Sequence, residues 1–316
     1  MYREAIKVLD CTIRDGGLIN DHMFEDNFVS EVYKAVCAAG VDYMEIGYKA
    51  SKNLLNPAKF GKWKFCDEDV IKKAVEGVKS KTKLSVMVDI GRVEKADIKP
   101  KKDSVIDMIR VACYVKDVDS AIDLVNDAAS KGYETTVNIM AISKALDNEL
   151  DEALDQLGRE SNTNVVYIVD SFGALYCENI TYLVNKYKKY LSGKEIGIHT
   201  HNNQQLAYGN TIQAIIDGAN YLDASIFGIG RGPGNCPLEL LLGFLKNPKF
   251  DLRPIWEVIP KEFLPLRDKI EWGYIIPYAI TGMFNEHPRA AIELRKGAKK
   301  DHYREFYESM QATEVE

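Results

Sequence analysis

Over roughly the first 250 residues, short runs of β-branched and apolar residues alternate with amphipathic stretches. The apolar runs fall at residues 6–13, 43–46, 84–90, 105–112, 135–140, 165–169, 196–199 and 221–227, and their length and composition predict eight strands. Helical periodicity fills the intervals, for example over 28–39, 118–129 and 205–217, each followed by the glycine expected just past a helix end: Gly40, Gly132 and Gly218. Eight such units predict an α/β fold, a (β/α)8 TIM barrel. A doubly wound open sheet would use the same local signals, but no G-x-G-x-x-G turn follows the first strand. From about Asp251 the alternation stops, and Pro254, Pro260, Pro265 and Pro277 punctuate an aromatic, helical stretch with Trp256, Trp272 and Tyr274. The expected organisation is a barrel over 1–250 and a helical C-terminal region over 251–316.

The segment 49–64 after the second strand carries Lys49, Lys52, Lys59, Lys62 and Lys64 and no acidic residue. On a barrel it overhangs the strand C-termini, either as a solvated loop or as a lid that attracts an anionic substrate. Composition narrows the function classes. The formal charge of −6 gives no general attraction to nucleic acid or anionic lipid, and no apolar run reaches the ~18 residues needed to cross a bilayer. Six isolated cysteines without a C-x-x-C pair, and no signal-peptide pattern, read as reduced thiols in a cytoplasmic protein. A small-molecule substrate is expected.

Candidate chemistry concentrates at two strand ends. In extended backbone residues i and i+2 face the same way, so His199 and His201 at the end of the seventh strand can both point into the barrel mouth. On a regular first strand Asp10, Thr12 and Arg14 share one side and Asp15 the other; Gly16-Gly17, free to take positive φ, is expected to end the strand and turn Asp15 inward. Two imidazoles and one carboxylate leave about three positions of an octahedral ion open to substrate and water. Mixed N/O ligation without thiolate fits Mg²⁺ or Mn²⁺, and Zn²⁺ or Co²⁺ bind imidazole more tightly.

Three segments, Leu9-Asp10-Cys11-Thr12-Ile13-Arg14-Asp15-Gly16, His199-Thr200-His201-Asn202-Asn203 and Gly228-Ile229-Gly230-Arg231-Gly232-Pro233-Gly234-Asn235, resemble the signatures of the DRE-TIM metallolyases, the superfamily of 3-hydroxy-3-methylglutaryl-CoA lyase. The resemblance spans about residues 5 to 245. It implies that Asp15, His199 and His201 are metal ligands, with Asn235 as a further ligand or part of a backbone anion site. It implies that Arg14 stabilises enolate oxygen, in a reaction that makes or breaks a C–C bond next to the carbonyl of a 2-oxo acid such as pyruvate through a metal-bound enolate. Glu45, ending the second strand, is expected to orient a ligand or water near that centre, or to be a rim charge paired to lysine.

Val165 to Ala174 and Leu222-Asp223-Ala224-Ser225 look most like the 4-hydroxy-2-oxovalerate aldolase branch. That branch carries a histidine shortly after its Asp-Gly, where this chain has Gly17-Leu18; His22 and His287 are the expected substitutes for the missing base. Asp89, Arg110, Asn138 and Asp170 stand near ends of the third to sixth strands, and with Arg231 are the expected substrate contacts; Asp89 and Asn138 could instead be helix caps. The expected partners are a 2-oxo acid and an aldehyde, a second copy in a homodimer and, by resemblance to the branch, a dehydrogenase. Two other functions stay open: a Claisen-type transfer from acetyl-CoA, and a non-catalytic metal-binding subunit.

Overall fold

The computed structural model describes residues 3–314. Eight parallel strands, β1 (Lys7–Asp10), β2 (Tyr43–Tyr48), β3 (Lys83–Asp89), β4 (Met108–Cys113), β5 (Glu134–Ile139), β6 (Val165–Asp170), β7 (Glu195–Thr200) and β8 (Tyr221–Ala224), pair in sequence order and close through β1 and β8. Every strand expected from the apolar runs is present, so the closed barrel replaces the open sheet. The pairing of β1 with β8 distinguishes the two, since it leaves no sheet edge; β2, β4 and β6 are buried along their whole length, as parallel strands covered on both faces are.

Helices α1 (Thr12–Gly16), α2 (Asp26–Ala38), α3 (Glu68–Ala74), α4 (Val118–Ser130), α5 (Asp147–Glu160), α6 (Cys177–Tyr190), α7 (Ala207–Asp217) and α8 (Leu238–Leu245) accompany the strands. The outer ring departs from eight regular repeats in one place. Between β3 and β4 only two single-turn 3-10 segments, Lys95–Asp97 and Lys101–Asp103, occur. That stretch lacks the i, i+3, i+4 apolar spacing that would let a helix bury a face. After α8 the chain continues through helical turns at Arg253–Val258, Ile276–Met283, Arg289–Lys296 and Tyr303–Glu314, the last three forming a small apolar cluster around Tyr278, Ile280, Ala291, Phe306 and Met310.

The first strand ends earlier than its sequence suggests. Asp10 accepts hydrogen bonds from both the backbone N–H and the hydroxyl of Thr12, and this local turn stops β1 at Asp10. Thr12–Gly16 then makes one helical turn, and Gly16 and Gly17 have φ of −58° and −60°, so the expected positive φ plays no part. Successive side chains on a helical turn lie about 100° apart rather than on opposite faces. Arg14 and Asp15 can therefore both reach the barrel mouth.

Candidate metal centre and reaction cavity

One carboxylate and two imidazoles converge at the C-terminal rim. The ligand atoms of Asp15, His199 and His201 all lie within 4.8 Å of one another, Asp15 Oδ2 being 3.6 Å from His201 Nε2 and 4.0 Å from His199 Nε2. Ligands about 2.1 Å from an octahedral ion stand roughly 3 Å apart in cis and 4.2 Å in trans, so the three atoms need little rearrangement to share one cation. All three are buried without a hydrogen-bond partner, as is Asn235 Oδ1. Unpaired buried lone pairs are costly, and here four of them belong to residues of one small region. A Cβ on Gly230 would come within 2.5 Å of Asn235 Nδ2 and 2.8 Å of Asp15 Oδ2, so the glycine lets the asparagine approach the carboxylate. The donor set fits a divalent cation.

The other side of each imidazole fixes its tautomer. His199 Nδ1 lies 2.9 Å from Asp223 Oδ2, and His201 Nδ1 lies 3.0 Å from the Asp170 carbonyl oxygen. Both partners can only accept, so each Nδ1 carries the proton and each Nε2 presents a bare lone pair. Burial, followed by His199 and Arg231, pushes the pKa of His201 down to about 4 against the opposing pull of Asp15, leaving it neutral. For Asp15 burial acts to raise the pKa, but Arg14 and then the two histidines outweigh it and hold the carboxyl well below its usual range.

Beneath the rim the groups form an alternating chain of charge. Arg14 Nη1 donates to Asp15 Oδ1 at 2.7 Å and its Nε to Glu45 Oε2 at 2.6 Å; Arg110 Nη1 donates to the same Glu45 oxygen at 2.9 Å, and its Nη2 to Asp223 Oδ2 at 2.6 Å. The Arg110 guanidinium also stacks over the Tyr167 ring, 4.5 Å from its centroid. All of these side chains are buried. Within this chain two guanidiniums bridge three carboxylates and tie the rim residues Asp15 and His199 to the barrel interior.

Sequence reasoning placed Glu45 near the centre, and it underlies Arg14 rather than pairing with a lysine at the rim. Asp223 carries no local signal of its role, and Arg110, expected as a strand-end contact, is fully buried in the barrel interior. For Arg110 the available signal was a charge in the middle of an apolar strand, because a buried carboxylate needs a partner.

A cavity of about 100 Å³ opens over the centre, lined among others by Arg14, Asp15, Tyr48, Asn138, His199, His201, Arg231 and His287. Asn138 accepts from the Thr136 hydroxyl through its Oδ1, which leaves its amide N–H groups to donate. Arg231 is held by the Ser171 carbonyl at 3.0 Å. His287 comes from the C-terminal region, its ring against Phe172; its Nδ1 accepts from the Arg289 backbone, so Nε2 bears the proton, and burial lowers its pKa to about 4.

Three expected contacts lie elsewhere. The Asp170 carboxylate accepts from the backbone of Ala174 and Leu175 and braces that turn; burial raises its pKa to about 7. Asp89 pairs with Arg92 at 3.3 Å and is not among the residues that line this cavity. His22 is buried with positive φ against Tyr48 and lines a neighbouring cavity; burial, then Lys64 and Arg14, lowers its pKa to about 3.

A family model described as HMGL-like matches residues 5–258. An oxaloacetate decarboxylase of Mycobacterium tuberculosis is 29% identical over 92% of this chain and 88% of its own length. A 4-hydroxy-2-oxovalerate aldolase of Geobacillus genomosp. 3 is 30% identical over 78% of this chain and 72% of its own length. The crystal structure of the N-terminal domain of a Bacteroides vulgatus protein superposes with a TM-score of 0.80 at 28% identity, covering 95% of this chain and all of that one. With its barrel and rim constellation, the protein is of the carbon–carbon lyase class. The chain belongs to the HMGL-like family. No helix among the described residues is long and apolar enough to cross a membrane.

Proposed function

We propose that the protein cleaves or forms the C–C bond next to the carbonyl of a 2-oxo acid, with Asp15, His199 and His201, assisted by Asn235, holding Mn²⁺ or Mg²⁺. The observation that carries this reading is the set of buried, partnerless ligand atoms converging beside Arg14. Such an ion, when bound, supplies Lewis-acid polarisation of the keto oxygen.

The chain's own residues supply the rest. Arg14 spends Nε on Glu45 and Nη1 on Asp15, and Nη2 remains to donate to the same oxygen as it gains enolate charge. Arg231 and the Asn138 amide offer N–H donors to the substrate carboxylate, and His287 offers Nε2–H to an oxygen on the departing portion. Burial and Asp89 raise the Tyr48 phenol despite Arg14, so it stays protonated and can return a proton to the enolate carbon.

A second reading, decarboxylation of a 2-oxo dicarboxylic acid, is favoured by one observation. Aldol cleavage needs a base for a hydroxyl proton, yet the histidine that lines the cavity besides the ligands, His287, already uses its Nδ1 lone pair, and His22 is outside. Loss of carbon dioxide needs no such base. Protein loaded with Mn²⁺ in D₂O should exchange the methyl protons of pyruvate under either reading; absence of exchange with metal demonstrably bound would overturn both. Product analysis with oxaloacetate against pyruvate plus aldehyde then separates them.

A further inference from the structure

The lysine-rich segment 49–64 divides into two kinds of residue. Lys52 pairs with Asp67 and Lys62 with Asp26 at the surface of the loop, and the half-buried Lys49 donates to the Cys66 carbonyl. Lys64 turns inward. A Cβ on Gly47 would stand 2.2 Å from the Trp63 carbonyl oxygen, so the missing side chain lets residues 61–66 press onto the end of β2. Lys64 is thereby only 4% exposed, its Nζ lying 3.6 Å from the centroid of the Tyr48 ring, and among the described residues no carboxylate is within ion-pairing distance. Burial, reinforced by Arg92 and Arg14 against the pull of Asp89, lowers its pKa to about 8. An ammonium withdrawn from water with no carboxylate in contact is costly.

That ammonium belongs to a cavity of about 230 Å³, walled by Leu18, His22, Leu55, Phe60 and Arg92. Arg92, largely exposed and already paired with Asp89, adds a guanidinium at the rim, His22 is neutral, and Asp21, the acidic residue of the lining, is itself exposed to solvent. Leu18 lines this cavity and the reaction cavity alike, and Tyr48, whose ring meets Lys64, lines the reaction cavity. The unpaired Lys64 ammonium, with Arg92 at the rim, among Leu18, Leu55 and Phe60 suits an anion carried on a carbon chain better than a bare inorganic ion, which gains nothing from apolar walls.

We propose that the Lys64 cavity binds a carboxylate or phosphate at the end of the substrate remote from the bond that is made or broken. The assignment rests on the 2-oxo acid reading above, and Lys64 acts in binding, not in the chemical step.

The test uses the Mn²⁺-loaded full chain with pyruvate and paired acceptors differing in their end group: propanal against succinic semialdehyde, and glyceraldehyde against glyceraldehyde 3-phosphate. The charged member of each pair is expected to have a KM lower by about tenfold or more. In Lys64→Met the ratio should fall to about one, and in Arg92→Met, a surface change that spares the core, to an intermediate value. Inorganic phosphate should compete with the charged acceptors only. Equal KM values in the wild type, or a ratio that survives Lys64→Met in folded protein, overturn the proposal. Phosphate that binds through Lys64 yet competes with neither acceptor overturns it in favour of a free-anion site. If pyruvate exchange and turnover are both absent, the 2-oxo acid reading has failed. Calorimetric titration with inorganic phosphate still decides the site: heat present in the wild type and lost in Lys64→Met supports anion binding there, and equal heats overturn it.

Discussion

Nδ1 of His199 lies 2.9 Å from Oδ2 of Asp223, and this contact determines which imidazole nitrogen remains for a cation. Because the same carboxylate oxygen accepts from Arg110 at 2.6 Å, the orientation of a ligand at the rim is tied to an ion pair deep in the barrel. Replacing Asp223 by Asn removes the charge that holds the tautomer. Metal affinity, read by titration with Mn²⁺, should fall about 10–100-fold. Affinity equal to the wild type's would mean that the carboxylate does not orient the ring.

Glu45 makes a different prediction, since it touches no ligand atom. Its Oε2 joins Arg14 and Arg110, all three buried, and removing one member of such a cluster leaves a charge without compensation. Glu45→Gln should lower the stability to urea by about 3–5 kcal/mol. Metal binding to the folded variant should suffer much less than in Asp223→Asn. The reverse order would show that Glu45, not Asp223, governs the centre.

Arg14 serves two carboxylates through a planar fork, Nη1 to Asp15 and Nε to Glu45. A lysine has one point of attachment and cannot hold both while still facing the substrate. Arg14→Lys should retain metal and lose about 10²–10³ in kcat for pyruvate exchange, the cost of one donor at a developing oxyanion. Near-normal kcat would remove Arg14 from the chemical step.

His22 supplies a pH signature. Its pKa in the folded chain is about 3, below the ordinary value of 6.5, because it is buried beside Lys64 and Arg14. As pH falls below 6.5 the unfolded chain takes up a proton that the folded chain refuses, so stability is lost progressively down to about pH 3. Between pH 6.5 and 5 this amounts to about 2 kcal/mol. Asparagine tolerates the positive φ of 61° at this position. His22→Asn should therefore lose less Tm than the wild type over that interval, and parallel curves would refute the assignment.

At Gly17 two effects oppose each other. Its φ of −60° is helical, where alanine gains up to about 1 kcal/mol over glycine. A Cβ there would lie 2.2 Å from His22 Nδ1, a clash that outweighs the gain. Gly17→Ala should destabilise the wild type and cost less, or stabilise, in a His22→Ala background. The double-mutant cycle measures the difference.

Much of the architecture was legible because apolar period and glycine punctuation are local. The runs at 43–46, 135–140 and 165–169 became β2, β5 and β6 within a residue or two. The first strand is shorter than its apolar run because Ile13 reads as a continuation of that run, while a side-chain turn at Asp10 overrides the pattern. The spacing of His199 and His201 put both on one side of a strand and the resemblance suggested their role, whereas Asp170 and Asp89 at equivalent strand ends are consumed by a backbone turn and by an arginine. Nothing local distinguishes these cases.

The amino-acid sequence by itself determined the alternation that builds a barrel, the family signatures and the residue types able to hold a divalent ion. Only the tertiary structure decided that Asp223 orients His199, that Glu45 joins two arginines, that the C-terminal region brings His287 to the cavity and that Lys64 is the lysine turned inward. Strand and helix periodicity follow from neighbouring residues, but the pairing of buried charges depends on which side chains the closed sheet brings within a few ångströms, across separations such as the 113 residues between Arg110 and Asp223.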